Sequence, residues 1–320
     1  MSQERKERPI LLVDFMNLFV RHYCANPAMT STGVQAGGVI GFLKTLTWAT
    51  DLLFPSRIII VCEAGGSTKK RALYPDYKAH RKPLKLNRFY ENDIPDSEDN
   101  KISQMISLIK ILKELPVCQV YIEGCEADDV VGYLSKYLFA DKEKLIMSSD
   151  HDFYQLLDEK TKMYLTHKRS YVTAQNVLET TGIHPINFCT ARTFCGDKSD
   201  NIPGVKGAGL KTMAKRFPSL SGDQFVSVDD VINESQSQLD KSQKIFQHIY
   251  ESAELAKRNW RLMYLDTSTL SAPQISKTRH VVDTFEPKLN KISLLRTLLD
   301  EGIRSIDADQ LYFTFNYVLC

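Results

Sequence analysis

The sequence predicts an α/β fold organised around a parallel β-sheet, and three observations support this prediction. Short apolar runs rich in β-branched residues recur along the first half of the chain, at Pro9–Asp14, Arg57–Glu63, Val117–Ile122 and Lys144–Met147. Segments with a helical spacing of apolar residues lie between these runs, and this alternation is typical of parallel sheets with helices on both faces. Acidic residues stand at or just after the ends of the runs, where such sheets bind ligands.

In chain order, strands and helices alternate from the N-terminus. The first run, PILLVD, ends at Asp14, and the helical segment Gly38–Leu53 leads to the second run, RIIIVCE, which ends at Glu63. A helical segment at Ile102–Leu115 precedes the third run. The stretch GCEADDVVGYL then begins a helix, and SSDHDF, with Asp150, follows the fourth run. Because the carboxyl ends of parallel strands share one edge, we expect these acids to converge.

From about Ile186 onward, the pattern changes to successive helices. Two of them, at Asn187–Cys195 and Leu210–Phe217, flank a glycine-rich stretch, GDKSDNIPGVKGAGL. A polar linker is expected at Ser219–Ser237, followed by a longer helix at Ser242–Arg261. The second half of the chain is therefore predicted to be helical.

The C-terminal segment carries weaker signals. A helix is predicted near Lys291–Asp300. The stretch QLYFTF, at Gln310–Phe315, combines Gln with aromatic residues in the manner of a clamp-binding peptide, but a buried terminal strand explains the same residues. Both interpretations stay open from the sequence.

Composition and charge define the class of protein. The chain has 320 residues, 43% hydrophobic and 25% charged, which is enough for a sizeable core and suggests two domains or one with insertions. The formal net charge of +2 says little about partners. Seven cysteines without a CxxC pair argue against a disulfide framework or a zinc site and favour a reducing, cytoplasmic location. The apolar run near the N-terminus is too short for a signal peptide or a membrane span.

Nine carboxylates form the first candidate site. They are Asp14, Glu63, Glu126, Asp128, Asp129, Asp150, Asp152, Asp197 and Asp200. Taken singly, acids at helix starts often only complement the helix dipole. Taken together at one sheet edge, they would repel one another unless some were protonated or cations entered. An all-oxygen ligand set suits Mg²⁺ or Mn²⁺, and two such ions roughly 4 Å apart can clamp a phosphoryl displacement.

A basic segment, Thr68–Arg88, forms the second candidate site. It holds eight Lys and Arg residues against one acid, with Tyr74, Tyr77 and His80 interleaved. A run of charge is usually a solvated face, but cations mixed with aromatic rings also describe a surface that binds phosphates and stacks on bases. Because the segment follows Glu63 directly, we favour contact with a substrate.

Five motifs in order carry a resemblance to a known family. They are VDFMNL, YKAHR, EADD, SSDHDF and GDKSDNIPGVKGAGLKTMAKRF, between about Ile10 and Leu265. This order resembles the flap endonucleases, or structure-specific 5′-nucleases, which include stand-alone phage enzymes and the 5′-nuclease domain of bacterial DNA polymerase I. The resemblance implies a PIN-like α/β nuclease core at residues 1–185 with an arch insertion at about 80–115. It also implies a helix–hairpin–helix DNA-binding region at 186–265 and a C-terminal extension at 266–320.

The resemblance also implies roles for individual residues. The first metal would be held by Asp14, Glu63, Glu126 and Asp128, and the second by Asp150, Asp152, Asp197 and Asp200, with Asp129 between them or bound through water. Lys78 and Arg81 would approach the scissile phosphate and stabilise its developing charge. Tyr77 would stack on a base near the cut, and Arg71 would contact DNA. Glu63 departs from the family, which usually has Asp at this position.

The glycine-rich stretch resembles the hairpin of the helix–hairpin–helix. Gly204, Gly207 and Gly209 would allow close approach of the backbone to phosphates, bound by N–H groups at the start of the next helix. Lys206, Lys211 and Lys215 would add charge. The carbonyls of Asn201 and Val205 would bind K⁺, as hairpin carbonyls often do in this family.

The predicted function is a structure-specific 5′-nuclease, acting as a 5′-3′ exonuclease and flap endonuclease. It would remove 5′ flaps or RNA primers by a two-metal mechanism in DNA replication and repair, with RNase H activity on primer hybrids. The expected partners are DNA with 5′ flaps or ends, RNA–DNA hybrids, and a sliding clamp or a single-strand-binding protein; a membrane is not expected, and the chain is expected to be a monomer.

Three alternatives belong to other classes. A PIN-type ribonuclease acting on RNA would need the carboxylates but not the hairpin. A non-catalytic protein that binds DNA structures would be favoured by an incomplete carboxylate set, yet only Glu63 is unusual. A dinucleotide-binding enzyme is disfavoured because Gly37, Gly38 and Gly41 lack the GxGxxG spacing.

Overall fold

A computed structural model describes residues 8–81, 98–239 and 244–319. Its centre is a six-stranded sheet with the strand order β3-β2-β1-β4-β5-β6. The strands are β1 Ile10–Asp14, β2 Arg57–Ala64, β3 Val117–Glu123, β4 Lys144–Met147, β5 Thr161–Leu165 and β6 Ser170–Val172. Strands β1 to β5 pair in parallel, which confirms the predicted sheet. Strand β6 was not predicted and pairs antiparallel with β5, because only the turn at residues 166–169 separates the two strands.

Fourteen α-helices are found in the described residues. The first seven are α1 Phe15–Ala25, α2 Gly37–Leu53, α3 Thr68–Leu73, α4 Glu98–Leu112, α5 Ala127–Tyr133, α6 Ala174–Thr181 and α7 Pro185–Cys195. The others are α8 Leu210–Arg216, α9 Val228–Gln236, α10 Lys244–Glu251, α11 Ala253–Met263, α12 Ala272–Asp283, α13 Lys291–Asp300 and α14 Ala308–Asn316. None of the helices in the described ranges is long and apolar enough to cross a lipid bilayer.

The sheet separates two hydrophobic cores. Alternate residues of β1 point to opposite faces, so Leu11 and Val13 join one core and Leu12 joins the other. Helices α1, α2, α4, α13 and α14 cover the first face. Helices α5 to α12 cover the second. The predicted helix–hairpin–helix region thus packs on one face of the sheet, and part of the C-terminal extension packs on the other.

Several predicted elements differ from those observed. The helix predicted at Ser242–Arg261 is two helices, α10 and α11, which are separated at Ser252. The predicted linker contains α9, because the Ser227 hydroxyl accepts the Asp230 N–H and the Asp230 carboxylate accepts the Ser227 N–H. The prediction of a terminal strand is wrong, since Gln310–Phe315 lies within α14.

The predicted arch at residues 80–115 is partly covered by the structure. Residues 82–97 lie outside the described residues. Helix α4 belongs to the core rather than to a free arch, because Leu108, Ile111 and Leu112 are buried against the first face of the sheet.

Candidate active site

The carboxyl edge of the sheet opens into a cavity of about 790 Å³. Four of the predicted carboxylates line it, namely Asp14, Glu63, Asp128 and Asp150. They come from the end of β1, from β2, from the first turn of α5 after β3, and from the residues after β4. The strand order reverses between β1 and β4, and ligands of open α/β sheets bind at such a switch point. The expected convergence of these four acids is therefore observed.

Local capping fixes the two central acids. Asp14 is the N-cap of α1, and its carboxylate accepts the Asn17 N–H at 3.1 Å and the Ser148 hydroxyl at 2.9 Å. Asp150 accepts the N–H of Asp152 at 2.9 Å at the start of the short 3₁₀ helix His151–Leu156. Asp14 and Asp150 therefore both cap a helix and line the cavity.

The carboxylates of the cavity destabilise one another's charged forms. Burial, with repulsion from Asp150 and Glu63, raises the pKa of Asp14 to about 6. Burial and repulsion from Asp14 and Asp150 raise the pKa of Asp128 well above its ordinary value. Divalent cations would relieve this repulsion, and oxygen-only ligands suit Mg²⁺ or Mn²⁺.

A second group of carboxylates is held by buried ammonium groups. The Lys70 ammonium lies 2.9 Å from Glu126 Oε2 and 3.1 Å from Asp129 Oδ1, and the Lys78 ammonium lies 2.5 Å from Glu126 Oε1. Although burial opposes it, the attraction of Lys70 and Lys78 lowers the pKa of Glu126 to about 2. Asp129 is fully buried, and it also accepts the Glu126 N–H at 3.2 Å as part of the capping of α5.

A third group surrounds the turn before the hairpin. The Arg192 guanidinium pairs with Asp197 and lies 3.6 Å from Asp152, while Arg81 lies 2.7 Å from Asp200. Burial and repulsion from Asp150 raise the pKa of Asp152 to about 7, in spite of Arg192. Asp197 remains well hydrogen-bonded through the Ser199 N–H and hydroxyl.

Tyr77 has a different environment from the one predicted. Its ring is buried beside Cys189 and Ile202, and its hydroxyl donates to Glu126 at 2.9 Å and to Asp200 at 3.4 Å. With only 5% of the residue exposed, no ring face is open for stacking on a base. The structure therefore contradicts base stacking by Tyr77 in this conformation, and the tyrosine instead orients two carboxylates.

The turn that carries Lys78 is docked on the turn that carries Asp200. The Lys78 N–H donates to the Asp200 carbonyl at 2.9 Å, and the Asn201 side-chain amide donates to the Asp76 carbonyl at 2.9 Å. Lys78 and Asn201 both adopt left-handed backbone conformations, with φ of 59° and 58°. Non-glycine residues rarely adopt this conformation, and such strain is concentrated at functional sites. The cations and the acids of the site are thus held in one unit.

The predicted division of the nine carboxylates into two metal sites is not the grouping seen here. In the described ranges, no three His, Cys, Asp or Glu side chains are arranged to hold a metal ion. Several of the oxygens are engaged by Lys70, Lys78, Arg81 and Arg192 instead. The donor chemistry of the cavity nevertheless fits a hard cation, so the ligand assignments stay predictions.

The sequence does not predict the roles of two cations of the site, Lys70 and Arg192. The sequence places Lys70 in the basic segment without a role of its own, and it does not distinguish Arg192 from other surface arginines. The sequence offers one signal for Lys70, a serine that can cap a short helix just before it: Ser67 caps α3 by accepting the Lys70 N–H, and Lys70 is buried. Arg192 lies on α7, five residues before Asp197, and its role becomes apparent only when the chain turns back at Gly196.

The predicted hairpin is a tight turn after α7. Asp197 and Ile202 form an antiparallel bridge, and the Val205 N–H donates to the Phe194 carbonyl at 2.7 Å. A Cβ on Gly204 would lie 2.1 Å from the Cys195 carbonyl oxygen, so only glycine fits there. Gly207 has a φ of 86°, which also favours glycine.

The hairpin presents its cations outward. Lys206, Lys211 and Lys215 are all exposed. The Asn259 side-chain amide, on α11, donates to the Thr193 and Pro203 carbonyls at 3.0 and 2.8 Å and fixes the base of the turn. Arg71 lies near the cavity instead, where it donates to the Gly65 carbonyl at 2.9 Å. Contacts of these residues with DNA, and of Asn201 and Val205 with K⁺, stay predictions.

Comparison with known proteins identifies the family to which the chain belongs. The family model described as "5′-3′ exonuclease, N-terminal resolvase-like domain" matches residues 9–182, which hold seven of the nine predicted carboxylates. The chain belongs to this 5′-3′ exonuclease family. It is 32% identical to a 5′-3′ exonuclease of Bacillus subtilis over 217 residues, which cover 64% of this chain and 68% of the relative.

Other members of the family extend the comparison. The chain is 33% identical over 213 residues to a thermostable DNA polymerase I of Thermus filiformis, covering 65% of this chain but 23% of the polymerase. Its fold is similar to the crystal structure of a bacteriophage T5 flap endonuclease in a complex with DNA and metal ions. The TM-score is 0.70 at 21% identity, and the match covers 86% of this chain and 98% of that one. The predicted PIN-like nuclease fold is therefore confirmed.

Proposed function

We propose that this protein is a structure-specific 5′-nuclease that hydrolyses phosphodiesters at junctions between single-stranded and duplex DNA. The observation that carries this proposal is the convergence of Asp14, Glu63, Asp128 and Asp150 in one cavity, beside Lys78 and Arg81. The expected substrates are DNA with 5′ flaps or free 5′ ends and RNA–DNA primer hybrids. Membership of the 5′-3′ exonuclease family supports the reaction class.

The carboxylates of the cavity suit Mg²⁺, and Mn²⁺ has the same ligand preference. One ion would be held by Asp14, Glu63, Glu126 and Asp128. A second would be held by Asp150, Asp152, Asp197 and Asp200, with Asp129 between the two or bound through water. Bound divalent ions supply Lewis-acid stabilisation of the developing charge and lower the pKa of water. The related phage flap endonuclease crystallised with DNA and metal ions, which supports a divalent cofactor here.

The residues of this chain position the substrate. Lys78 and Arg81 line the cavity and would pair with the scissile phosphate once their present carboxylate partners bind cations. The backbone of the Gly204–Gly209 turn and its exposed lysines would hold the duplex without reading its sequence. The carbonyls of Asn201 and Val205 would place K⁺ under this turn. This hairpin favours a DNA nuclease over a ribonuclease that acts on RNA alone.

Cleavage of a labelled 5′-flap duplex, with Mg²⁺ and with a chelator, tests the proposal. A blunt duplex, an RNA-primed duplex and a single-stranded RNA serve as comparison substrates. We expect Mg²⁺-dependent cleavage near the junction, faster on the flap than on the blunt duplex, with K⁺ increasing the affinity for duplex. Equal cleavage in the chelator, or cleavage of single-stranded RNA in preference to the flap, would contradict the proposal.

A further inference from the structure

Helix α11 carries none of the predicted site residues, yet it contacts the elements that position them. It packs on α7, which leads into the hairpin, and on α3, which leads into the turn that carries Lys78. Leu265, just after α11, lies against α5, because a Cβ on Gly132 would be 3.1 Å from the Leu265 Cβ. The Lys136 ammonium also donates to the Leu265 carbonyl at 3.0 Å. Helix α11 therefore joins the hairpin to three elements around the acidic cavity.

Asn259 attaches α11 to the hairpin. Its side chain is fully buried, and its amide donates to the Thr193 carbonyl at 3.0 Å and to the Pro203 carbonyl at 2.8 Å. Thr193 lies in the last turn of α7, where a helix leaves its carbonyls without partners, and Pro203 lies after the hairpin turn. One amide thus ties together the two arms of the hairpin.

Arg258 attaches the same part of α11 to the basic segment. Its guanidinium donates to the Asn259 side-chain oxygen at 3.0 Å and lies 4.1 Å from the centre of the Tyr74 ring. Tyr74 follows α3 directly and lies four residues before Lys78. The contact with the ring holds the guanidinium in place, and its hydrogen bond orients the Asn259 amide towards the hairpin.

The C-terminal end of α11 is attached to the short 3₁₀ helix that carries Asp152. The Gln155 side-chain amide donates to the Met263 carbonyl at 3.0 Å and accepts the Leu265 N–H at 2.9 Å. The same amide donates to the Asp152 carbonyl at 2.9 Å. Because Asn259 and Met263 are one helical turn apart, roughly 6 Å of helix separates the hairpin contact from the contact beside the acidic cavity.

This arrangement links the grip on the duplex to the place of the cut. Successive phosphates of one strand are about 3.4 Å apart along the duplex axis, so a small movement of the hairpin brings a different phosphodiester to the cavity. Resting on the proposed nuclease function, we propose that Asn259 is a positioning residue. By holding the hairpin at a fixed distance from the carboxylates, it determines which phosphodiester is cut.

The test maps the cleavage positions of an end-labelled 5′-flap duplex in Mg²⁺ at single-nucleotide resolution. Asn259→Ala is compared with the wild type and with Val282→Ala, since Val282 is fully buried in the same core but lies on α12. Melting temperatures show that both variants fold. We expect the wild type and Val282→Ala to cut mainly at one position and Asn259→Ala to divide its cuts among neighbouring positions.

Affinity and rate separate positioning from folding. A misplacement of about 1 Å caused by a change far from the chemistry can slow a reaction by about 10²-fold, so we expect single-turnover cleavage by Asn259→Ala to be at least about tenfold slower. Its affinity for the flap in Ca²⁺ should stay within about threefold of the wild type, because the exposed lysines of the hairpin remain. Cleavage by Asn259→Ala at the wild-type position and rate would overturn the proposal, as would a loss confined to affinity.

A milder variant keeps the test valid should Asn259→Ala fail to fold. Arg258→Met removes the donor to Asn259 and the contact with Tyr74 but leaves Asn259 in place. We expect it to spread the cuts in the same way, to a smaller extent, and unchanged cut positions would contradict the proposal. A wild-type protein that cleaves no flap would refute the proposed function together with this inference. Normal wild-type cleavage with unchanged cut positions in the variants would refute this inference alone.

Discussion

At the level of single residues, the site balances carboxylates against buried cations. Lys70 is only 3% exposed and contacts both Glu126 and Asp129. The two attractions, acting against burial, raise the pKa of Lys70, so its ammonium group stays charged at neutral pH. Removing one partner of a buried ion pair leaves uncompensated charge, which costs more than the pair itself contributes.

Lys70→Met should therefore lower the free energy of unfolding by about 3 to 5 kcal/mol. The matched control is Lys69→Met, because Lys69 is the exposed neighbour on the same short helix. Urea denaturation of both variants measures the difference. A cost for Lys70→Met no larger than that for Lys69→Met would contradict the structural role of the buried ammonium.

At Asp152, burial and the neighbouring Asp150 destabilise the charged form of the side chain. Its pKa of about 7 is above that of an unfolded Asp, so the native state binds its proton more tightly than the unfolded state does. Through this group, the stability of the metal-free protein rises as the pH falls from about 8 towards 4 and is lost as the pH rises through 7. In the proposed function the charged form of Asp152 would bind a cation, whereas the neutral form favours stability in the metal-free protein.

Asp152→Asn should stabilise the metal-free protein by about 1 to 3 kcal/mol at pH 8, since the amide carries no charge to bury. The gain should shrink at pH 5, where the wild-type carboxyl is protonated. Thermal melts in chelator at both pH values measure this, with the exposed Asp223→Asn as control. A gain that is equal at the two pH values would contradict the raised pKa.

At the level of elements, the hairpin depends on one close backbone contact. A Cβ at Gly204 meets the backbone of Cys195 at 2.1 Å, and a backbone atom cannot move aside as a flexible side chain does. Gly209 is the natural control, because a Cβ added there would meet no atom within 4 Å and its φ is −68°.

Gly204→Ala should destabilise the fold by about 2 kcal/mol or more and weaken duplex binding by about tenfold. Gly209→Ala should change the stability by much less, because the added Cβ meets no atom within 4 Å. Melting temperatures and duplex-binding isotherms of the two variants provide the comparison. Normal binding by Gly204→Ala would mean that the hairpin does not carry the duplex contact.

Elements with a strong local signal were predictable from the sequence. Strands β1 to β4 are short runs of mainly apolar residues and helix α13 has apolar residues at helical spacing, and all five are observed close to their predicted positions. Helix α14 was not recognised, because its buried residues Leu311 and Phe315 lie within an aromatic stretch that also suits a strand. Asp307 caps this helix. Its carboxylate accepts the N–H groups of Asp309 and Gln310, which stabilises a helix rather than a strand.

At the level of the whole molecule, the strand order brings four distant acids to one edge of the sheet. That convergence was predictable, because parallel strands share their carboxyl edge and each acid lies at or after the carboxyl end of a strand. Which cations balance the remaining acids was not predictable. Lys70 and Arg192 lie on α3 and α7, and their pairing with Asp129 and Asp197 depends on how these helices pack.

The proposed function requires the carboxylates of the cavity to hold the cations that catalyse hydrolysis. Its most direct test is single-turnover cleavage of a 5′-flap duplex in Mg²⁺ by Asp150→Asn, with Asp223→Asn as the control and flap affinity measured in Ca²⁺. We predict that Asp150→Asn slows cleavage by at least about 10³-fold, as expected when several kcal/mol of transition-state stabilisation are lost. Its affinity for the flap should stay close to that of the wild type, and Asp223→Asn should cleave normally. Cleavage by Asp150→Asn at the wild-type rate would contradict a catalytic role for the cavity.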